Sequence, residues 1–97
     1  MNLTFNGEIF YWRGPSPFHF VAVPSLEAEE LQAISSLVTY GWGMIPVNVT
    51  IGETEFYTAL FPKDGGYYVP LKAAIRKAEQ LEVGDTVSLT LEVAPPS

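Results

Sequence analysis

Three of the five basic side chains lie within six positions, at Lys72, Arg76 and Lys77, and a fourth, Lys63, sits in the turn just before them. On a helix Lys72 and Arg76, four apart, share a face. Ammonium and guanidinium groups gathered in this way hold a phosphate, a carboxylate or an acidic partner. On a solvated helix the same pattern balances Glu79, Glu82 and the acidic first helix. A second group is aromatic: Trp12, Tyr40, Trp42, Tyr57, Tyr67 and Tyr68. Ring area with a polar tip suits a pocket wall and also ordinary core filling. Trp12, with Arg13 beside it, and Trp42 each border a glycine-containing loop. Loops are where binding residues concentrate, which makes these two rings candidate walls at a barrel mouth. The ligand-binding set expected from residue type and spacing is therefore Trp12, Arg13, Trp42, Lys63, Lys72 and Arg76.

His19 stands between Phe18 and Phe20, with no second histidine and no cysteine in the chain. A metal would have only carboxylates to add to it, and a structural role fits a lone strand histidine. General acid–base work by His19 or Asp64 is the corresponding enzymatic reading. Glu53 and Glu55, two apart, would share a face if both lay on a strand, a spacing open to paired-carboxylate hydrolysis. At a hairpin tip they are a wet acidic edge instead. Gly65-Gly66 lacks the Gly-Lys-Ser/Thr ending of a phosphate loop and reads as a turn. No Gly-x-Ser-x-Gly elbow is present.

The elements that must position these residues follow from periodicity. Leu3, Phe5, Ile9 and Tyr11 alternate with polar residues over a strand at 3–13, with Gly7 suggesting a bulge or bend. A strand at 18–23 is apolar on both faces, and Pro24 stops it. Ser25 is a candidate N-cap for a helix at 26–38, whose first turn is expected to carry Glu27, Glu29 and Glu30. Tyr40-Gly41-Trp42-Gly43 breaks it. Strands at 47–51 and 54–61 form a hairpin around Gly52-Glu53. Pro62 to Gly66 is a turn, a short strand covers 67–69, and Pro70 opens a helix at 71–81 with a buried stripe of Leu71, Ala74, Ile75, Ala78 and Leu81. Gly84-Asp85 turns into a last strand with Val87, Leu89, Leu91 and Val93 inward, and Ala94 to Ser97 is a frayed tail. Short connections favour antiparallel pairing. The fold expected is mainly β: a small closed or partly open six-stranded antiparallel barrel capped by two short helices, in a single domain over 1–97.

Read as one string, the chain carries Trp12-Arg13-Gly14-Pro15, Phe20-Val21-Ala22-Val23-Pro24, Tyr40-Gly41-Trp42-Gly43, Ile45-Pro46-Val47, Phe61-Pro62-Lys63-Asp64-Gly65, Val69-Pro70-Leu71-Lys72, Arg76 and Gly84-Asp85-Thr86-Val87. In this order the motifs resemble the domain-of-unknown-function family DUF1905 over nearly the whole chain. The resemblance implies a small closed β-barrel with helical caps and no assigned reaction. Ala59 departs from the family pattern, which has a small hydroxyl residue there. The stretch from Pro70 to Val87 is similar to the turn of swapped-hairpin barrels in antitoxins and transition-state regulators, a fold feature that brings no function with it.

Composition limits the function classes. With 97 residues, 47% apolar and 16% charged, the chain is that of a folded domain able to bury roughly 65% of its extended surface. The net charge of −6 repels a polyanion, so nucleic acid is a disfavoured partner. Without cysteine there is no disulfide or thiolate metal site, and no cofactor is called for. No run is long and apolar enough to span a membrane, and a cytoplasmic location is the default expectation. The leading functional expectation is a non-enzymatic binding or interaction module for an anionic small molecule or acidic protein partner. The alternatives are a small enzyme working in the barrel mouth and, behind both, a dimeric DNA-binding regulator.

Overall fold

The computed structural model describes residues 1–38 and 43–93, with 36–38 described in their backbone alone. The Tyr40-to-Trp42 break and the tail from Ala94 to Ser97 lie outside the described residues. Six strands and two helices follow in the order β1 (Asn2–Trp12), β2 (Phe18–Ala22), α1 (Ser25–Val38), β3 (Ile45–Ile51), β4 (Thr54–Lys63), β5 (Gly66–Pro70), α2 (Ala73–Ala78) and β6 (Thr86–Val93). The strands close into an antiparallel barrel in the order β1-β2-β5-β4-β3-β6, as the sequence predicts.

Alternation of apolar and polar residues sets the register, because a slip by one would turn a whole strand inside out. β6 buries Val87, Leu89, Leu91 and Val93, and β3 buries Ile45, Val47, Val49 and Ile51; their partners face outward. β1 serves both halves of the barrel. Its first part pairs with β6, from Asn2↔Glu92 to Glu8↔Thr86, and its last part with β2, from Ile9↔Val21 to Trp12↔Phe18. Gly7 lies at this crossing, and the register runs through it with no inserted residue, so the expected bulge is absent. Glycine is needed there for a close approach: a Cβ would overlap Val21 Cγ1.

The helices close the barrel unequally. α1 buries Ala28 and Leu31 in the core, and Gln32 Oε1 accepts a bond from the Tyr67 hydroxyl at 3.4 Å. It starts one residue before the expected position. The Ala28 N–H donates to the Pro24 carbonyl, so Ser25 is the first helical residue, not the cap, and only Glu27 of the three glutamates lies in the first turn. α2 is shorter than the periodicity suggested and buries no residue of its own. Of the expected stripe, Leu71 is buried ahead of the helix, Ile75 and Leu81 are half-buried, and Ala74 and Ala78 are exposed. Pro70 belongs to β5, and Lys72 is extended (φ −68°, ψ 157°). After α2 the chain turns at Gly84 (φ +95°), and Asp85 Oδ2 accepts the Glu82 N–H at 2.8 Å. A residue with Cβ would be strained at that φ, and the carboxylate satisfies a donor the turn would orphan.

Candidate functional site

The apolar character of β2 on both faces has a structural outcome. Val21 enters the barrel, and Phe18 and Phe20 point out of it. Phe20 is nevertheless only 5% exposed. Rings from its own strand and from β1, β5 and β4 surround it: Phe10 at 6.1 Å, Phe18 at 5.7 Å, Phe61 at 5.7 Å and Tyr68 at 5.5 Å between centroids. Phe10 and Tyr68 meet edge to face at 5.1 Å. These separations and tilts are those aromatic quadrupoles favour. The barrel thus carries a second, external apolar layer on its β1-β2-β5-β4 wall.

A groove of about 300 Å³ is cut into this layer. Phe18, Phe20, Phe61, Met44, Ala59 and Pro70 form its apolar lining, with Ser16, Pro17 and Thr58 at its margin. Lys72 is the charged residue of the lining. The groove lies on the outer wall, on the face that Phe18, Phe20 and Phe61 share.

Strand pairing explains why the wall is open here. In β5 the Val23 N–H donates to the Tyr67 carbonyl and the Leu71 N–H to the His19 carbonyl, so odd-numbered residues bond toward β2. Backbone groups alternate in direction along a strand, so Tyr68 and Pro70 face β4. Pairing between β4 and β5 runs Lys63↔Gly66, Pro62↔Tyr67, Phe61↔Tyr68 and then stops. Continued along that register, Leu60 would stand opposite Val69, and the next pair whose backbone groups point at each other would be Ala59 with Pro70. Proline has no N–H to donate, so the ladder cannot continue through Pro70 as it would through another residue. On the other side of β4, Ala59 stands opposite Pro46. The seam therefore parts beside Ala59, at the floor of the groove.

The expected site residues separate into groups. Lys63 Nζ lies 4.6 Å from the centre of the Trp12 ring, a cation–π contact. Trp12 is the cross-strand neighbour of Phe18, and Lys63 shares the outward face of β4 with Phe61, so this pair borders the groove. Lys72 lines it. Arg76 does not: its Nε donates to the Leu71 carbonyl at 3.3 Å, and its charge acts on His19. Because Lys72 precedes α2 in extended backbone, the helical spacing that was to put it on one face with Arg76 does not apply. Arg13 lies 5.7 Å from the Tyr11 ring centre, and Tyr11 meets His19 edge to face at 4.9 Å. Trp42 lies outside the described residues.

The candidate proton carriers are dispersed. Burial, and secondly the Arg76 guanidinium, hold the His19 imidazole below its ordinary pKa of 6.5. Asp64 lines a different cleft, with Ser25, Glu29 and Gln32 at the start of α1. Glu53 lies in the β3–β4 turn while Glu55 is on β4, in a polar depression with Asn48, Thr90 and Glu92. No group of three or more metal-ligating side chains occurs among the described residues.

Reasoning from residue types missed Phe18, Phe20, Phe61, Met44, Ala59 and Pro70. For Phe18 and Phe20 the signal is the two-faced apolarity of 18–23, which a strand with one solvated face does not need, and the other four carry no such local signal.

A family model described as domain of unknown function (DUF1905) matches residues 5–91. No curated protein matches the chain.

Proposed function

The chain belongs to the DUF1905 family, a membership that assigns no activity, and we propose from the geometry that it is a non-enzymatic binding module whose outer groove takes an anionic small molecule. One observation carries the reading: an apolar groove of about 300 Å³ with Lys72 as the charged residue of its lining. That volume is at the lower end of small-molecule sites, which combine apolar walls with a few placed polar groups. Phe18, Phe20 and Phe61 supply area for a ring or branched chain. Lys72 supplies the charge that orients it, and Lys63 over Trp12 adds positive potential at the border. No acidic residue is in the groove lining, and Asp64, which adjoins Lys63, lines a different cleft. An anion approaching the groove thus meets the cationic part of a molecule whose total charge is −6. Binding is read as the favoured role over catalysis because neither His19 nor Asp64 reaches the groove lining.

A thermal-shift panel of small carboxylates and phosphates at low ionic strength tests this. Aromatic carboxylates such as 3-phenylpropionate raise the Tm by mass action, and Lys72→Ala removes the effect while leaving the ligand-free Tm within a few degrees. A flat response across the panel refutes the reading.

A further inference from the structure

We propose that Tyr11, Arg13, His19 and Arg76 form a binding site for a phosphate group at the rim of the barrel, apart from the outer groove. None of the four lines that groove.

The register brings them together. Ile9 and Val21 face each other inside the barrel and are fully buried. The next pair on the same face is Tyr11 with His19. β1 ends at Trp12 and β2 begins at Phe18, so this pair stands at the rim and not in the core. Its two rings meet edge to face at 4.9 Å. The Arg13 Cζ lies 5.7 Å from the centre of the Tyr11 ring. Just beyond β5 the Leu71 N–H donates to the His19 carbonyl, and the Leu71 carbonyl accepts the Arg76 Nε–H at 3.3 Å. Two guanidinium groups thus approach the Tyr11–His19 pair, one along β1 and one from α2.

Charge and exposure suit an anion. Burial and the Arg76 charge are what act on the His19 imidazole, with no carboxylate among the described residues to offset them. Asp85, whose carbonyl accepts the Ile9 N–H, turns its carboxylate to the Glu82 N–H at 2.8 Å. Tyr11 and Arg13 are exposed, and His19 and Arg76 are half-buried, so solutes reach the cluster. The Nε bond of Arg76 leaves both terminal nitrogens of the fork to donate. Guanidinium and imidazole N–H groups and a phenol O–H are then within one cluster. A phosphate ester brings three acceptor oxygens and nearly two negative charges, where a carboxylate brings two oxygens and one charge. It therefore suits two cations flanked by neutral donors better than a carboxylate does. The total charge of −6 still repels a polyanion, which favours a single phosphate group.

NMR of the whole chain with inorganic phosphate tests the site, with the His19 imidazole resonances as the readout. They are expected to shift saturably with a Kd of about 1 mM, and the His19 pKa is expected to rise as the bound anion offsets Arg76. Potassium chloride at equal ionic strength is the control for screening. Arg13→Gln, at an exposed position, should weaken phosphate about threefold. Arg76→Lys keeps the charge but gives up the fork, and should weaken it about tenfold. Shifts that chloride reproduces, or that neither substitution weakens, overturn the proposal. Saturating 3-phenylpropionate should not displace phosphate, and competition between the two overturns the separate site. O-phosphoserine and an acetylated tetrapeptide carrying phosphoserine distinguish the sources of the group. Affinity for the peptide no higher than for the free phosphoamino acid identifies a phosphorylated small molecule, a preference above about tenfold identifies a phosphorylated protein, and both uphold the phosphate site.

Discussion

Replacing Phe20 by leucine separates ring packing from simple burial on the outer wall. Leucine keeps most of the apolar area but forfeits the four ring contacts, at 5.5 to 6.1 Å, that Phe20 makes with Phe10, Phe18, Phe61 and Tyr68. At about 0.5 kcal/mol for each contact, the lower bound for aromatic pairs, the loss is about 2 kcal/mol. A chain of this length unfolds with an entropy of about 0.2 kcal/mol/K, so the Tm should fall by about 10 °C. Phe20→Ala adds lost area and a cavity, and should cost about 3–5 kcal/mol. The control is Tyr57→Leu, on the same outer surface but 64% exposed, which should stay within about 0.5 kcal/mol. Scanning calorimetry with urea titration gives all three values. A Tm change below about 3 °C for Phe20→Leu would refute the packed external layer, and the groove walls with it.

Other substitutions probe other parts of the argument. Gly7→Ala should destabilise by about 1–3 kcal/mol in urea unfolding, since its methyl overlaps Val21 Cγ1 at the point where β1 passes between the two halves of the barrel. Gly84→Ala forces a Cβ residue to φ near +95° and should cost about 1–2 kcal/mol; an unchanged urea midpoint would contradict the turn. Thr54 Oγ1 donates to Glu79 Oε2 at 2.6 Å and ties the β3–β4 hairpin to the end of α2. Thr54→Val should therefore lower stability by about 1 kcal/mol, and pairing it with Glu79→Gln in a double-mutant cycle should show coupling. Because the His19 pKa is lowered on folding, the unfolded chain takes up that proton more readily. The contribution of His19 to stability is thus full above about pH 6.5 and is lost as pH falls through the folded value. An NMR titration should show the depressed pKa directly. Arg76→Gln should raise it part of the way, since burial is the larger cause; no movement would remove Arg76 from the account.

How far the sequence could be read depended on whether a property was local. The strands β3 and β6 were plain in the alternation of Val47, Val49 and Ile51 and of Val87, Leu89, Leu91 and Val93. The Gly84-Asp85 turn was legible because its φ and its carboxylate bond depend on adjacent residues alone. α2 was over-read: Ala74 and Ala78 fit a helical stripe by spacing, yet neither meets a neighbour that would bury it. The same error joined Lys72 to Arg76, whose four-residue spacing has meaning only if both are helical. Pro70 was taken as the opening of a helix, a position proline favours. In the structure it is instead the residue that ends a β ladder.

From the sequence alone come the closed six-stranded barrel, its antiparallel pairing, the family, and the deficit of basic residues that disfavours a polyanionic partner, since each depends on periodicity, turn chemistry or composition. Only the tertiary structure decides where a ligand can sit. The groove exists because Phe18, Phe20 and Phe61 come from strands that are not neighbours in sequence, and because the β4–β5 ladder ends at Phe61↔Tyr68 and leaves Ala59 and Pro70 in its lining. Register is a property of the closed sheet as a whole. It is set by the burial of every strand at once, and no short stretch of residues encodes it.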